Sequence, residues 1–170
     1  GGRDAFIGKL DSLFTADSKL EGESTSVDIS GLIGQYAHGN EPSHHIAHLY
    51  NYVGQPWRTQ EIVDEVLHTL YFNEPNGLSG NEDCGQMSAW YILNAMGFYQ
   101  VCPGKPVYSI GRPLFNEATV HLKDGKSFKV IAHNNSRDNK YVRSIVLNGN
   151  KLETPFFTHQ DIVDGGTLEL

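Results

Sequence analysis

The chain has 170 residues, of which 39% are hydrophobic and 19% are charged, so it can bury a core and is not a disordered polymer. Its net charge of -7 disfavours binding to nucleic-acid phosphates, which requires clustered Lys and Arg. No apolar run approaches the roughly 20 residues of a bilayer-spanning helix, and the first residues lack a signal-peptide pattern, so membrane insertion is not expected. The chain begins without Met and in helical sequence, which predicts a piece of a longer polypeptide.

Hydrophobic spacing predicts four helices in the first part of the chain. The third carries a clear apolar stripe, and the fourth is apolar nearly all round, which predicts burial on every face. A polar loop is expected over residues 15–30 and a buried, turn-rich stretch over residues 31–40. The predicted helices are residues 1–15, residues 44–53 with Ser43 as the N-cap, residues 59–71, and residues 87–96 with Gly97 as the stop.

After Pro103 the pattern changes to short β-branched and aromatic runs separated by turn residues. Asn148-Gly149 is a strong signal for a two-residue hairpin turn. We therefore predict an α+β fold, with helices over residues 1–102 and an antiparallel β segment over residues 103–170. The predicted strands are residues 107–110, 119–122, 128–132, 141–147 and 167–170.

Four of the eight histidines fall within eleven residues: His38, His44, His45 and His48. His44 and His48 have the i, i+4 spacing of two zinc ligands, although the glutamate that normally stands between such ligands is absent. Asn40 and Glu41 offer the hard oxygen donors that calcium prefers. The alternative is a helix start with Glu41 near the positive end of the dipole and histidines that simply pack.

The second informative segment is the acidic turn Asn81-Glu82-Asp83, which lies between Gly80 and the fourth predicted helix. Its carboxylates could cap that helix, or one of them could activate water at the edge of a sugar pocket, as glycosidases require. Four aromatic residues could stack on a sugar ring or belong to the core: Trp57, Trp90, Tyr91 and Phe98.

Three motifs together resemble the C-terminal part of family 92 glycoside hydrolases. They match in wording, order and spacing, and the likeness extends to Tyr108-Ser109-Ile110-Gly111 and Leu147-Asn148-Gly149 near the end of the chain. The motifs are Gln35-Tyr36-Ala37-His38-Gly39-Asn40-Glu41-Pro42-Ser43-His44-His45, Gly54-Gln55-Pro56-Trp57 and Gly80-Asn81-Glu82-Asp83-Cys84-Gly85-Gln86-Met87-Ser88-Ala89-Trp90-Tyr91.

The resemblance implies a calcium-dependent (Ca2+), inverting exo-α-mannosidase that acts on mannose-containing glycans, of a kind common in gut bacteria. It also implies that this chain supplies the terminal helices of an (α/α)6 barrel and a closing β segment. The general acid and an N-terminal β-sandwich would then belong to the missing upstream part of the polypeptide. A periplasmic, extracellular or cell-surface location of the full-length protein is implied in the same way.

Carried over to this sequence, the resemblance implies that Asp83 is the general base, with Glu82 in reserve. Some family members carry a second acid where Asn81 stands here. The calcium and mannose region corresponds to Asn40 and Glu41. His38, His44, His45 and Gln86 are the candidate sugar-binding residues.

Two other classes of function remain open at the level of sequence. One is a carbohydrate-binding module that holds glycans through its aromatic residues and β segment without cleaving them. The other is a zinc protein built on His44 and His48.

Overall fold

The computed structural model describes residues 1–21, 26 and 28–170 of the chain. Part of the loop predicted over residues 15–30 therefore lies outside the described residues. The described helices are α1 (Arg3–Thr15), α2 (Leu49–Tyr52), α3 (Pro56–Thr69), α4 (Gln86–Met96) and α5 (His159–Val163). None of them is long and apolar enough to cross a membrane.

Three of the four predicted helices are present with nearly the predicted bounds. Helix α3 begins with Pro56 in its first turn, where the missing N–H costs nothing. Helix α4 ends at Gly97, whose φ of 103° gives a left-handed C-cap without a side-chain clash.

The predicted helix over residues 44–53 is present only in part, as short pieces. The chain instead forms two 3-10 turns, Glu41–Ser43 and Ile46–His48, followed by the single turn of α2. Ser43 does not cap a helix, because its Oγ lies 2.6 Å from the Ala37 carbonyl oxygen and donates to it. Within these pieces, the side chains of His44 and His48 bind Gln86 and Asn94 of helix α4.

The prediction that α4 is buried all round is wrong. Its buried face carries Met87, Trp90, Asn94 and Ala95, whereas Ile92 on the other side is 49% exposed. The sequence pattern showed apolarity but could not show which face has a packing partner.

The strands form three sheets with orders β1-β2, β3-β4-β9 and β5-β6-β10-β7-β8. The last strand enters the largest sheet between β6 and β7. Their bounds are β1 (Leu32–Ile33), β2 (Tyr36–Ala37), β3 (Phe98–Tyr99), β4 (Val107–Ile110), β5 (Glu117–His121), β6 (Ser127–Ile131), β7 (Val146–Leu147), β8 (Asn150–Lys151), β9 (Phe156–Thr158) and β10 (Gly166–Glu169).

The β segment is not wholly antiparallel, which corrects that part of the predicted fold class. Strand β10 pairs antiparallel with β7 but parallel with β6, with Leu168 opposite Val130. Local sequence identifies strands and hairpins, such as the β7-β8 hairpin closed at Asn148-Gly149, but not the position at which a terminal strand inserts.

The predicted strand over residues 141–147 is reduced to the two residues of β7. The preceding residues are attached to helix α3 instead. The Tyr141 hydroxyl donates to Glu61 over 2.6 Å, and the Val142 amide donates to Gln60 over 3.2 Å. Side chains of α3 thus replace a neighbouring strand as hydrogen-bond partners.

The buried side chains form two hydrophobic clusters that meet near the end of α4. One joins α1, α2, α3 and α4 and contains Trp90, whereas the other joins the sheets and contains Phe98. Both aromatic residues therefore belong to the core, while Trp57 is 47% exposed at the start of α3.

An ion pair connects helix α3 to the segment that follows β4. Arg112 is 2% exposed, and its Nε lies 2.8 Å from Asp64 Oδ1. Its Nη2 donates to the Ser136 carbonyl oxygen over 2.8 Å. Burial lowers the pKa of Arg112, and the Asp64 carboxylate opposes that effect.

The substitution Arg112→Met is expected to lower the free energy of unfolding by about 1–3 kcal/mol, because it removes the buried cation beside Asp64 and leaves that carboxylate with only His68, 3.2 Å away. Urea denaturation measures this loss. The matched control is Lys129→Met, which removes the exposed pair with Glu117 and should cost below about 1 kcal/mol. Equal losses in the two variants would contradict a structural role for Arg112.

His48 is bonded through both of its ring nitrogens, one to helix α4 and the other to strand β4. Its Nε2 lies 2.8 Å from Asn94 Oδ1, and its Nδ1 lies 3.1 Å from Ser109 Oγ. Because the Asn94 oxygen can only accept, Nε2 carries the proton and Nδ1 accepts from Ser109. Burial lowers the pKa of His48 to about 4, and its bond to Asn94 opposes the shift.

His48 should make the stability of the protein pH-dependent. Its usual pKa is 6.5, so as the pH falls His48 is protonated near pH 6.5 in the unfolded chain but only near pH 4 in the folded chain. The stabilisation is therefore complete above pH 6.5 and is lost as the pH falls. In His48→Gln, the slope of unfolding free energy against pH in this window should decrease by up to about 1.4 kcal/mol per pH unit.

Urea denaturation at several pH values between 4.5 and 7 measures that slope. The variant His121→Gln, at an exposed position of strand β5, is the control against which the change in slope is compared. An unchanged slope in His48→Gln would show that the buried imidazole does not govern this pH dependence.

Candidate active site

Two Gly-Asn-Glu tripeptides, residues 39–41 and 80–82, lie against each other. A Cβ added to Gly80 would stand 2.9 Å from the Gly39 carbonyl oxygen, and Gly80 has a φ of 75°. A Cβ added to Gly39 would stand 2.3 Å from Ser30 Oγ. Neither position has room for a side chain. The backbones of the two tripeptides are in contact at Gly39 and Gly80, and Glu41 and Asp83 follow this contact along their own segments.

This contact brings together the carboxylates that sequence analysis singled out separately. Asp83 and Asp28 both lie close enough to the Glu41 carboxyl group to act on its charge. Asn81 Nδ2 donates to Asp28 Oδ1 over 3.3 Å. Asn40 is exposed beside Glu41. The arrangement is a partly open acidic site made by three separate loops.

The charged form of the Glu41 side chain is disfavoured in this site. A hydrogen bond within Glu41 itself favours its charged form, but burial and the charges of Asp83 and Asp28 outweigh it and raise its pKa. Its Oε1 is buried and has no hydrogen-bond partner among the described residues. A buried acceptor without a donor costs free energy unless a donor or cation is supplied.

Asp83 lies in an unusual turn that leaves it exposed. Asp83, Cys84 and Gly85 have successive φ values of 46°, 58° and 92°. Left-handed backbone costs roughly 1–2 kcal/mol for a residue with a side chain, so two such residues in succession must be held by other contacts. An exposed carboxylate at the entrance of α4 is free to contact water or a ligand.

Glu82 is occupied. Its Oε1 accepts from the Ser88 backbone amide over 2.9 Å, and its Oε2 accepts from the Ser88 hydroxyl over 2.8 Å. Of the two predicted bases, the structure therefore leaves Asp83 accessible and ties Glu82 to helix α4.

His38 is fully buried beneath the acidic site. Its Nδ1 lies 2.8 Å from the Tyr36 hydroxyl, and its Nε2 lies 2.6 Å from the Tyr71 hydroxyl. The Tyr71 proton is directed to the Met87 carbonyl oxygen, 3.1 Å away, so Nε2 is the donor of the imidazole. Burial, followed by the neighbouring His44, lowers the pKa of His38 to about 3. This histidine is neutral and fixed in place.

His44 stacks on His38 with ring centroids 4.8 Å apart. Its Nε2 donates to the His38 carbonyl oxygen over 3.0 Å, and its Nδ1 accepts from Gln86 Nε2 over 3.1 Å. Gln86 also donates to the Tyr99 hydroxyl over 3.2 Å. Burial lowers the pKa of His44. Both ring nitrogens are thus used inside the protein, whereas His45 is only half-buried.

The arrangement of His44 and His48 is unlike that of a zinc pair. The predicted helix that would have aligned their rings is interrupted, and each of their ring nitrogens has a protein partner. No group of three or more His, Cys, Asp or Glu residues suited to a metal ion occurs in the part of the chain that the structure describes.

Sequence reasoning missed the tyrosines that hold these histidines: Tyr36, Tyr71 and Tyr99. A signal for Tyr36 was present, because residues two apart in an extended strand share a face, and Tyr36 precedes His38 by two. Tyr71 and Tyr99 follow α3 and α4, and their approach to the site depends on helix packing that local sequence does not encode.

Comparisons with known proteins identify the family of the chain. The profile of the glycosyl hydrolase family 92 catalytic domain matches residues 1–170. An uncharacterised secreted glycosidase of Arthroderma benhamiae is 30% identical over 173 residues. The matched region is 100% of this chain and 20% of that protein.

Solved structures of this family share the fold. A GH92 α-mannosidase from Bacteroides thetaiotaomicron is 44% identical with a TM-score of 0.88, and 99% of this chain covers 22% of that protein. The structure of that enzyme with mannoimidazole gives a TM-score of 0.92 at 43% identity, with the same coverage. A GH92 inverting mannosidase from the same organism is 42% identical with a TM-score of 0.83, and the whole chain covers 24% of it.

The chain spans about a fifth to a quarter of the length of these relatives. The range matched by the family profile, residues 1–170, includes both Gly-Asn-Glu segments and the turn that carries Asp83. The chain belongs to glycosyl hydrolase family 92 and forms part of its catalytic domain.

Proposed function

We propose that the polypeptide containing this chain is a calcium-dependent, inverting exo-α-mannosidase that removes terminal mannose from glycans. The observation that carries the proposal is the backbone contact between Gly39 and Gly80, which places the exposed residue Asp83 near Glu41, whose buried Oε1 has no hydrogen-bond partner among the described residues. The α-mannosidases among the similar structures, one of them bound to mannoimidazole, indicate the substrate class.

Asp83 is the proposed general base. In an inverting hydrolysis a carboxylate removes a proton from water as its oxygen attacks the anomeric carbon, and a carboxylic acid protonates the departing oxygen. Asp83 is exposed at the entrance of α4, and Glu82 cannot replace it without giving up two hydrogen bonds to Ser88. The exposure and the turn together suit Asp83 to contact with the attacking water.

The general acid should come from outside this chain. The two catalytic carboxyl groups of an inverting glycosidase stand about 6.5–9.5 Å apart, with water between them. Of the neighbouring acids, Glu82 is bonded to Ser88 through both of its carboxylate oxygens, and Glu41 has a buried, unpartnered oxygen that suits a cation, so neither is assigned as the acid. We therefore propose that residues 1–170 alone are inactive.

The site also suits a calcium ion. The buried Oε1 of Glu41 has no partner among the described residues, and the neighbouring acids Asp83 and Asp28 raise the pKa of Glu41, so a cation would satisfy the first and relieve the second. Glu41 would be a ligand, with Asn40 as an additional oxygen donor. When bound, calcium orients sugar hydroxyls and stabilises charge without redox chemistry.

The buried histidines would support this site from below. Because His38 and His44 use their ring nitrogens within the protein, they hold the backbone of residues 38–44 in place, and Glu41 with it. Of the predicted sugar-binding residues, His45 and Gln86 are the more accessible and remain candidates for direct contact.

Other features of the whole protein are proposals of the same kind. Helices α1 to α4, within residues 1–102, would belong to an (α/α)6 barrel, and residues 103–170 would form its closing β segment. The name of the secreted glycosidase relative supports export of the full-length protein, to the periplasm, the cell surface or beyond.

The substitution Asp83→Asn in the full-length protein is expected to lower kcat on an aryl α-mannoside by about 10²–10⁴-fold, because an amide cannot accept the proton from water. Asn tolerates left-handed backbone, so the fold should be retained. The control is Asp124→Asn, an exposed residue in another left-handed turn with a φ of 60°. Hydrolysis by Asp83→Asn at the wild-type rate would refute the assignment of the base.

Calcium binding is tested separately from catalysis. At 100 times its dissociation constant, calcium is expected to stabilise the full-length protein by about 2.7 kcal/mol, and chelation should reverse this. The substitution Glu41→Gln should abolish the calcium-dependent part of the shift in unfolding. Glu153→Gln, at an exposed position in the β segment, serves as the control. A full calcium effect in Glu41→Gln would exclude Glu41 as a ligand.

A further inference from the structure

We propose that Glu82 is a positioning residue that holds the turn carrying Asp83 in its working conformation through a two-point bond to Ser88. This inference rests on the proposed function of Asp83 as the base. It assigns to Glu82 a role different from that of its neighbour, although both are acidic residues of the same turn.

The acidic turn binds the N–H groups at the start of helix α4. The first N–H groups of a helix have no partner within the helix. The amide of Gln86 donates to the Asp83 carbonyl oxygen over 3.2 Å, and that of Met87 donates to the Glu82 carbonyl oxygen over 3.3 Å. The Ser88 amide donates to Glu82 Oε1. All three donors are therefore met by the two acidic residues of the turn.

The N-cap residue of α4 is Gly85, which has no side chain to offer. Glu82 supplies that carboxylate from three residues earlier, and its second oxygen accepts from the Ser88 hydroxyl over 2.8 Å. The resulting ring of contacts encloses residues 83–85, the three that have left-handed backbone.

The backbone of the turn is strained at two residues. Asp83 and Cys84 occupy a region of backbone space that side chains disfavour, with φ values of 46° and 58°. Without the bond between Glu82 and Ser88, these residues can relax toward extended or right-handed conformations. Any such change rotates Asp83, because the direction of a side chain follows the φ and ψ of its own residue. The position of the base thus depends on a carboxylate that does not touch the reacting atoms.

The chain contains a matched control in the capping box of helix α5. There Asp161 Oδ2 accepts from the Thr158 amide over 2.7 Å and from the Thr158 hydroxyl over 2.6 Å. Like Glu82, Asp161 thus binds the amide and the hydroxyl of a single residue at a helix start. It lies in the β segment, between β9 and β10, and has no part in the proposed site.

The experiment compares Glu82→Ala, Glu82→Gln, Ser88→Ala and Asp161→Ala in the full-length protein, with kcat, KM and unfolding temperature measured for each. We expect kcat of Glu82→Ala to fall about 100-fold, the effect of a misplacement of about 1 Å, with KM within about twofold of wild type. Glu82→Gln keeps an oxygen for the Ser88 amide and should recover most of the activity. Asp161→Ala should lose stability comparably but keep its kcat.

Three results would overturn the proposal: wild-type kcat in Glu82→Ala, no recovery in Glu82→Gln, or a loss of kcat in Asp161→Ala equal to that in Glu82→Ala at equal destabilisation. If Glu82→Ala does not fold, Ser88→Ala decides the question, since it removes one of the two bonds and should lower kcat about tenfold; wild-type kcat there rejects the role. A wild-type protein that does not hydrolyse α-mannosides would instead defeat the proposed function.

Discussion

The close approach of Gly39 and Gly80 is the constraint on which the candidate site depends. Each glycine is the last residue before an acidic segment, and the space around each excludes a Cβ. This contact fixes where both segments begin, so Glu41 and Asp83 converge although they are 42 positions apart in sequence. The glycines therefore do more than permit turns, because they allow the two acidic segments to approach each other.

The buried histidines extend this constraint into the interior. His38 and His44 are neutral because burial disfavours their charged forms, and a neutral imidazole has one donor and one acceptor. Tyr36, Tyr71 and Gln86 match that pattern, leaving each ring a single orientation. An acidic surface thus stands above a layer that provides hydrogen bonds without adding positive charge. Such a layer can hold the carboxylates in position without neutralising them.

Much of the fold was accessible from sequence because its signals are local. The apolar stripe of α3, the Gly97 stop of α4 and the Asn148-Gly149 hairpin each lie within one element. The errors arose where distant groups decide local structure. His44 and His48 bind Gln86 and Asn94, more than 40 residues away, where the expected helix is interrupted, while β10 pairs parallel with β6. Tertiary contacts overrode local propensity in each case.

The site followed the same rule. Motif resemblance pointed to Asn40, Glu41 and Asp83, and the structure brings the segments carrying them together. The motifs could not show that His38 is buried beneath the site, because its burial depends on how Tyr71 and Trp90 pack around it. Nor could composition distinguish the two neighbouring acids Glu82 and Asp83. Only the position of Ser88, six residues after Glu82, separates them.

The two Gly-Asn-Glu segments show how equal sequences acquire unequal chemistry. Both glutamates follow a glycine at the shared contact, yet Glu82 finds a helix start that offers an amide and a hydroxyl, whereas Glu41 Oε1 finds no donor among the described residues. The first carboxylate is therefore saturated and gives the fold rigidity. The second retains unsatisfied binding capacity beside Asp83, and a site with unsatisfied oxygen donors and rigid surroundings is suited to holding an ion or a sugar hydroxyl. The difference arises from the neighbours of each side chain and not from the side chains themselves.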